Sequence, residues 1–373
     1  MAANNKKKKK SNSKNIAIIA TCSILALILI IVLCVYLVLK SYIGKINKVD
    51  PDDWSNITSN TNEVQTDDDG NVISDTTMSD EINSSGAENF GDGEGLEKDY
   101  VKNIVLIGVD NRHFENILYN PGNSIILVSF NSKTHKVYLT SIMRDTAAYI
   151  QYSDALKAKN SRLKDGYDKI NRANAVAGPE FLLDIIEGNF KIKVDDYILV
   201  DFYSLIDIID ILGGIPMTLT DAEAEAANNY IRDMDFDRGV SDWETANVLT
   251  GGGDLILNGV QAVGYSRERQ TAGSDFNRTS RQRAVIEQII VKAKKMSVTQ
   301  LNDLANSILP KVYTNMSESE ILGMVADAVT YLGYDLEQYR VPFDNMYESV
   351  NGNLLPDYEA TNQKLQDIIF ATE

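Results

Sequence analysis

Cysteine is nearly missing from this chain of 373 residues: Cys22 and Cys34 are the only two, and both fall inside one apolar run. No disulfide partner and no thiol chemistry is therefore available to the rest of the chain. Histidine is as scarce. His113 and His135 lack partner spacing for zinc or for a Ser or Cys nucleophile, so we assign them no chemistry. Basic residues are also few beyond the N-terminus. Seven of the 36 lysines and arginines, and none of the 53 acids, precede Ser41, which leaves 29 basic against 53 acidic residues, a net of -24. A general nucleic-acid binder needs the opposite sign, because phosphate neutralisation supplies most of its affinity.

What is present begins with residues 16–39, which hold 24 residues without charge or proline. About 20 apolar residues cross a ~30 Å hydrocarbon core, whereas a secretory apolar region is shorter and ends in a small-residue cleavage site. We read 16–39 as a transmembrane helix and 1–15, with Lys6 to Lys10 and Lys14, as a cytoplasmic basic tail held inside by the positive-inside rule. Everything after it is expected outside the cytoplasm, at the cell membrane. Residues 40–98 are rich in acids, Asn, Ser, Thr and Gly, with Trp54 and Phe90 as the aromatics past residue 48, and read as an acidic disordered linker.

Order is expected from 99. Val101 to Val109 is apolar enough for a strand buried on both faces. Ser124 to Phe130 and Val137 to Ile142 read as a hairpin, Phe181 to Phe190 as a helix, and Tyr197 to Asp201 as a strand. Tyr203 to Leu212 reads as a helix closed by Gly213 and Gly214. Strands alternating with helices predict an α/β layered domain over 99–296. Residues 297–373 read as a C-terminal helical extension, its clearest signal the Ser317 to Glu320 capping box.

Five of the twelve arginines (Arg267, Arg269, Arg278, Arg281, Arg283) lie within seventeen residues of an otherwise acidic region. A guanidinium is a planar five-donor fork and a preferred clamp for phosphate oxygens. The plainer alternative is a set of salt bridges on a solvated helix face. Stepping about 100° per residue puts Arg278 and Gln282 on the same stripe as Val285, Ile286 and Ile289, with Arg283 pointing away toward solvent. Inward-facing arginine is costly unless an anion receives it, which favours a ligand for Arg278.

These residues resemble the LytR-CpsA-Psr family of cell-wall glycopolymer ligases. The likeness rests on Asn103 to Arg112 (NIVLIGVDNR), Ser141 to Thr146 (SIMRDT), Lys169 to Asn171 (KIN), Tyr197 to Asp201 with Leu212 to Ile215 (YILVD and LGGI), Leu257 to Gly259 (LNG) and Tyr265 to Gln282 (YSRERQTAGSDFNRTSRQ), in that order. The resemblance implies a three-layer α/β/α domain with a central mixed sheet. It implies a Mg²⁺- or Mn²⁺-dependent transfer of an anionic glycopolymer, teichoic acid or capsule, from undecaprenyl pyrophosphate to the muramic acid 6-hydroxyl of peptidoglycan. By the same resemblance Arg144, Arg267 and Arg269 hold the pyrophosphate, Arg278 and Gln282 belong to that pocket, and Asp110 ligates the metal. Arg112, Asp145 and Arg281 lie within the same motifs. Asp275 either accepts the acceptor hydroxyl proton or orients an arginine.

One position departs from the pattern. Where the family carries Arg-Ser-Asp before the second strand, this chain has Pro121, Gly122 and Asn123. A neutral amide is a weak ligand for hard Mg²⁺, so metal binding is expected to lean on the substrate's own oxygens, with Glu115 as a compensating carboxylate. Three further readings remain: a binder of lipid-linked polymer without turnover, a polyprenyl pyrophosphatase, and a transcriptional attenuator, the last opposed by the topology and the acidic charge.

Overall fold

The computed structural model describes residues 40–41, 43–48, 90, 95–110, 117–271, 274–297, 300, 304, 306–307 and 309–373. The expected transmembrane helix at 16–39 lies outside them, and no helix among the described residues is long and apolar enough to cross a membrane. The chain divides into two compact units, residues 1–45 and 46–373. In the first, the described residues make one turn, with Gly44 N donating to Lys40 O at 3.1 Å.

The second unit is a mixed α/β fold. Its strands are β1 (Asn47–Lys48), β2 (Val101–Val109), β3 (Gly122–Asn131), β4 (Lys136–Ile142), β5 (Ala147–Ile150), β6 (Gly166–Lys169), β7 (Asp196–Asp201), β8 (Ile215–Leu219), β9 (Gly253–Leu257), β10 (Tyr313–Thr314), β11 (Asp335–Val341), β12 (Tyr347–Val350) and β13 (Asn353–Pro356). Its helices are α1 (Asp154–Lys159), α2 (Asn171–Phe190), α3 (Phe202–Ile211), α4 (Asp221–Asp237), α5 (Gly259–Arg267), α6 (Ser274–Ala293), α7 (Glu318–Leu332) and α8 (Tyr358–Ile369). Among the described residues seven strands form the central sheet, in the order β1-β10-β7-β2-β3-β4-β11. β2 is parallel to β7 and antiparallel to β3, and β4 is antiparallel to β3 and parallel to β11.

The central strands are apolar on both sides because both faces are covered. Val105, Ile107, Ile125, Leu127, Tyr197 and Leu199 face a core shared with α2 and α8, through Leu182, Ile186, Leu365 and Ile369. The alternate residues Ile126, Val128, Val137 and Leu139 face the other way, against Ile286 of α6 and Tyr331 and Tyr334 at the end of α7. A third cluster joins α3, α4, α5 and the β8-β9 ribbon, with Val285 of α6 packed into it. α6 is thus wedged between that cluster and the sheet.

The C-terminal segment differs from the helical extension expected for 297–373. β11 is an edge strand of the central sheet, and β12 with β13 forms a separate hairpin. Pairing with β4 decides the state of Asp335–Val341, and that partner lies about 200 residues earlier in the chain, where local pattern cannot show it. The expected linker is also not wholly apart from the fold. β1 pairs in parallel with β10, Phe90 lies 5.5 Å from the Tyr149 ring, and Leu96 bridges to Ile192. At the start of β2, Tyr100 OH donates to Phe370 O at 3.0 Å, and Asn131 Nδ2 donates to Ile369 O at 2.9 Å.

Candidate active site

The sheet's directions bring the site together. β2, β4 and β7 end where β3 begins, since Val109 pairs with Gly122 and Ile142 pairs with Ile125. Asp110, Asn123, Arg144 and Asp201 therefore lie at one end of the strands. Asp110, Asn123, Arg144 and Asp145 are all buried there.

Arg267 reaches this end from α5. Asn258 caps that helix, its Oδ1 accepting Gln261 N at 3.0 Å while Gln261 Oε1 accepts Asn258 N at 3.0 Å. Gly259 allows the cap to press on α3: a Cβ there would sit 2.2 Å from Ile206 O. This close approach gives the Leu-Asn-Gly motif a physical basis. Arg267 Nη2 then lies 3.0 Å from Asp110 Oδ2, with its guanidinium 5.1 Å from the Phe202 ring centre and 5.4 Å from that of Tyr230. Both members of the ion pair are over nine-tenths buried. Desolvating such a pair costs several kcal/mol, which its attraction returns only in part, so it makes a poor stabilising device.

α6 supplies the second group. Asp275 Oδ1 lies 3.5 Å from Arg269 Nε and 3.3 Å from Arg278 Nη1, and Arg278 Nη2 donates to the carbonyl of Asn123. Arg278 is 3% exposed, and Gln282, one turn on, is buried as well. At β4's end, Asp145 lies 3.4 Å from Arg144 Nε and 2.5 Å from Lys169 Nζ. Lys169 stood within a landmark motif but was not singled out as a site residue. The only sequence signal was the acid directly after Arg144, which does not name its partner.

One placement differs from the sequence reading. Arg283 does not face solvent. It is 7% exposed, its Nη1 donating to Ser141 Oγ at 2.7 Å, its Nε to Gln338 Oε1 at 3.3 Å and its Nη2 to Ser280 Oγ at 3.2 Å. The helix is covered on more than the one side its apolar stripe marks, by β4 and β11 as well as by the α3–α5 cluster. Arg281, two residues back, is buried as well. It lies among Glu268, Thr271 and Glu223, and Glu268, fully buried, was missed from sequence. Arg112 and Glu115 lie outside the described residues.

Among the described residues no group of three or more His, Cys, Asp or Glu is placed to hold a metal. The donors at the sheet end are the Asp110 carboxylate and the Asn123 amide. Mg²⁺ demands octahedral oxygen and usually takes one or two carboxylates plus substrate phosphates. The set fits a divalent ion that a phosphate-bearing substrate helps to bind.

The arrangement sets Arg267, Arg269 and Arg278 against the carboxylates of Asp110 and Asp275. The LytR_cpsA_psr family model matches residues 55–369. The polyisoprenyl-teichoic acid--peptidoglycan teichoic acid transferase TagU of Bacillus licheniformis is 32% identical over 216 residues, 57% of this chain. The chain spans 60% of that relative's length. Protein gbs0355 of Streptococcus agalactiae has a similar structure, with a TM-score of 0.57, 23% identity, and cover of 72% of this chain and 88% of that one. So does YwtF (TagT) of Bacillus subtilis with bound octaprenyl pyrophosphate lipid, with a TM-score of 0.50, 19% identity, and cover of 75% and 93%. At those identities the structural likeness is one of fold. The match of the family model to most of the chain shows that it belongs to the LytR_cpsA_psr family.

Proposed function

We propose that the protein is a membrane-anchored, extracytoplasmic phosphotransferase of α/β/α architecture. It moves an anionic glycopolymer from undecaprenyl pyrophosphate to the muramic acid 6-hydroxyl of peptidoglycan. The observation that carries this reading is the gathering of buried Arg144, Arg267 and Arg278 with Asp110 at one end of the sheet, in a chain of net charge -17. Burying cations in an acidic protein is costly, and a pyrophosphate offsets that cost. The membrane anchor and the placement outside the cytoplasm rest on residues 16–39 and the lysines before them.

In this mechanism the acceptor hydroxyl oxygen bonds to the phosphorus that carries the polymer. The bond from that phosphorus to the bridging oxygen breaks, and polyprenyl phosphate leaves. Arg144, Arg267 and Arg269 hold the pyrophosphate oxygens and stabilise the charge that builds on the leaving phosphate. Arg278, tied to the Asn123 carbonyl, holds the same pocket from α6. Asp275 lies between Arg269 and Arg278, which supports an orienting role for it. The hydroxyl proton passes to a carboxylate or to solvent. A bound Mg²⁺ or Mn²⁺, held by Asp110 and weakly by Asn123, would neutralise phosphate charge. The name of the Bacillus licheniformis relative, a teichoic acid transferase to peptidoglycan, supports the teichoic acid and peptidoglycan assignment.

Asn123 favours a second reading, a binder of lipid-linked polymer without turnover, because the amide brings no charge to the metal. The test is release of polyprenyl phosphate from a polyprenyl-pyrophosphate-linked saccharide by the full-length chain, with peptidoglycan as acceptor. Release is expected to fall roughly 10²- to 10³-fold in Arg267→Ala, as for loss of one preorganised donor. Asn123→Asp is expected to raise it at limiting Mg²⁺. Lipid binding without release would select the second reading, and release that needs no acceptor would mark a pyrophosphatase.

A further inference from the structure

Between Arg267 and Arg269 stands a carboxylate for which the proposed reaction has no use. Glu268 is fully buried at the end of α5. Its Oε1 accepts Thr271 N at 2.7 Å, and its Oε2 accepts the Thr271 hydroxyl at 2.6 Å and lies 2.7 Å from Arg281 Nη2. Arg281 closes the loop around it. Nη1 donates to the Glu268 carbonyl at 3.3 Å, Nη2 also donates to the Thr271 hydroxyl, and Nε lies 3.4 Å from Glu223 Oε1 on α4. The charge of Arg281 is thus directed at two carboxylates inside the protein. The neighbours of Glu268 in sequence each end on a different acid, Arg267 on Asp110 and Arg269 on Asp275.

An ionised carboxylate is costly to bury, and three charge-assisted or hydroxyl donors on one side chain are what offset that cost. A neutral side chain would fill the same space at less cost. What the carboxylate adds is a fixed path for residues 268–271, because one group bonds the backbone, the hydroxyl and the opposing helix at once.

We infer that Glu268 is a positioning residue, whose carboxylate, gripped by Arg281 and Thr271, fixes the turn at 268–271 and so aims Arg267 and Arg269 at one pyrophosphate. The inference rests on the pyrophosphate reading above. It also makes a prediction of sign. Removing a negative charge next to an anion site strengthens anion binding through Coulomb attraction alone, whereas loss of positioning weakens it.

The experiment titrates inorganic pyrophosphate into the full-length wild type, Glu268→Gln and Thr271→Val, with the melting temperature of each measured alongside. Glu268→Gln is expected to weaken pyrophosphate roughly tenfold well below its melting temperature, the lower end for loss of a supporting contact. Thr271→Val, which keeps the charge and the backbone bond, is expected to weaken it about threefold, and it decides the matter if Glu268→Gln does not fold. Unchanged or tighter binding in the variants, beside a wild type that binds, would overturn the inference and leave the functional reading standing. A wild type that binds no pyrophosphate would overturn both.

Discussion

Arg267, Arg269, Arg278, Arg281 and Arg283 sit within seventeen residues and do three different things. Three bear on the Asp110 and Asp275 carboxylates, one locks a turn, and Arg283 lies under α6 against the sheet. The acceptors of Arg283 are the neutral groups of Ser141, Gln338 and Ser280. Burial, with Arg340 nearby, pushes its guanidinium down to about 10. The unfolded chain holds that proton to a higher pH than the folded one. The folded state therefore bears the cost at every pH below about 10 and is relieved only as pH rises past it. Arg283→Met is expected to raise stability by roughly 1 kcal/mol, equally at pH 6 and pH 8, in urea unfolding. The inward placement of Arg278 and Gln282 could be read from 100° steps along α6. That of Arg283 could not, because one apolar stripe marks one covered side and this helix is covered on two. Glu268 was hidden for a related reason: only its partner Arg281, thirteen residues on and across a turn, reveals why an acid stands between two clamp arginines.

Among the elements, α4 links a local capping signal to the arginine cluster. Its N-terminus is a capping box, with Thr220 Oγ1 accepting Glu223 N at 3.2 Å and Glu223 Oε2 accepting Thr220 N at 3.0 Å. The same Glu223 meets Arg281 through its other oxygen, and Tyr230 further along flanks Arg267. Burial alone would raise the Glu223 carboxyl, but the bonds from Thr220 and the charge of Arg281 hold it below its ordinary value. Thr220→Ala is expected to cost about 1 kcal/mol in urea unfolding, the usual loss for such a cap. Elements with local signals were legible. β2, the β3-β4 hairpin, β7 and the α3 terminus at Gly213 and Gly214, with φ of 72° and 78°, all follow the sequence reading. β11 was not, because a strand at a sheet edge is defined by a neighbour far off in the chain.

At the scale of the molecule, the C-terminal segment is part of the body. β11 closes one edge of the sheet, and Leu365, Ile369 and Phe370 fill the core under α2. The carbonyls of Ile369 and Ala371 also take both Asn131 Nδ2 bonds. A chain truncated after Gly333 would expose the β4 edge and a face of the main core, and such edges pair between molecules. It is expected to be insoluble or to lack a cooperative melting transition by circular dichroism. A truncated form that melts cooperatively near the full-length temperature would contradict this. The mixed α/β class was legible from the alternation of strands and helices, whereas the part played by residues 334–373 was not.

The meeting of Tyr100 with Phe370 gives the molecule a handle and a working end. That contact lies where β2 begins, and Asp110 lies just past where it ends, nine residues on. At about 3.3 Å per residue the two are roughly 30 Å apart. A dye, a bead or a surface linkage joined at Glu373 therefore holds the protein by the end of β2 away from Asp110. Ligand titrations can be read from an immobilised chain with the Asp110 end of the sheet turned outward.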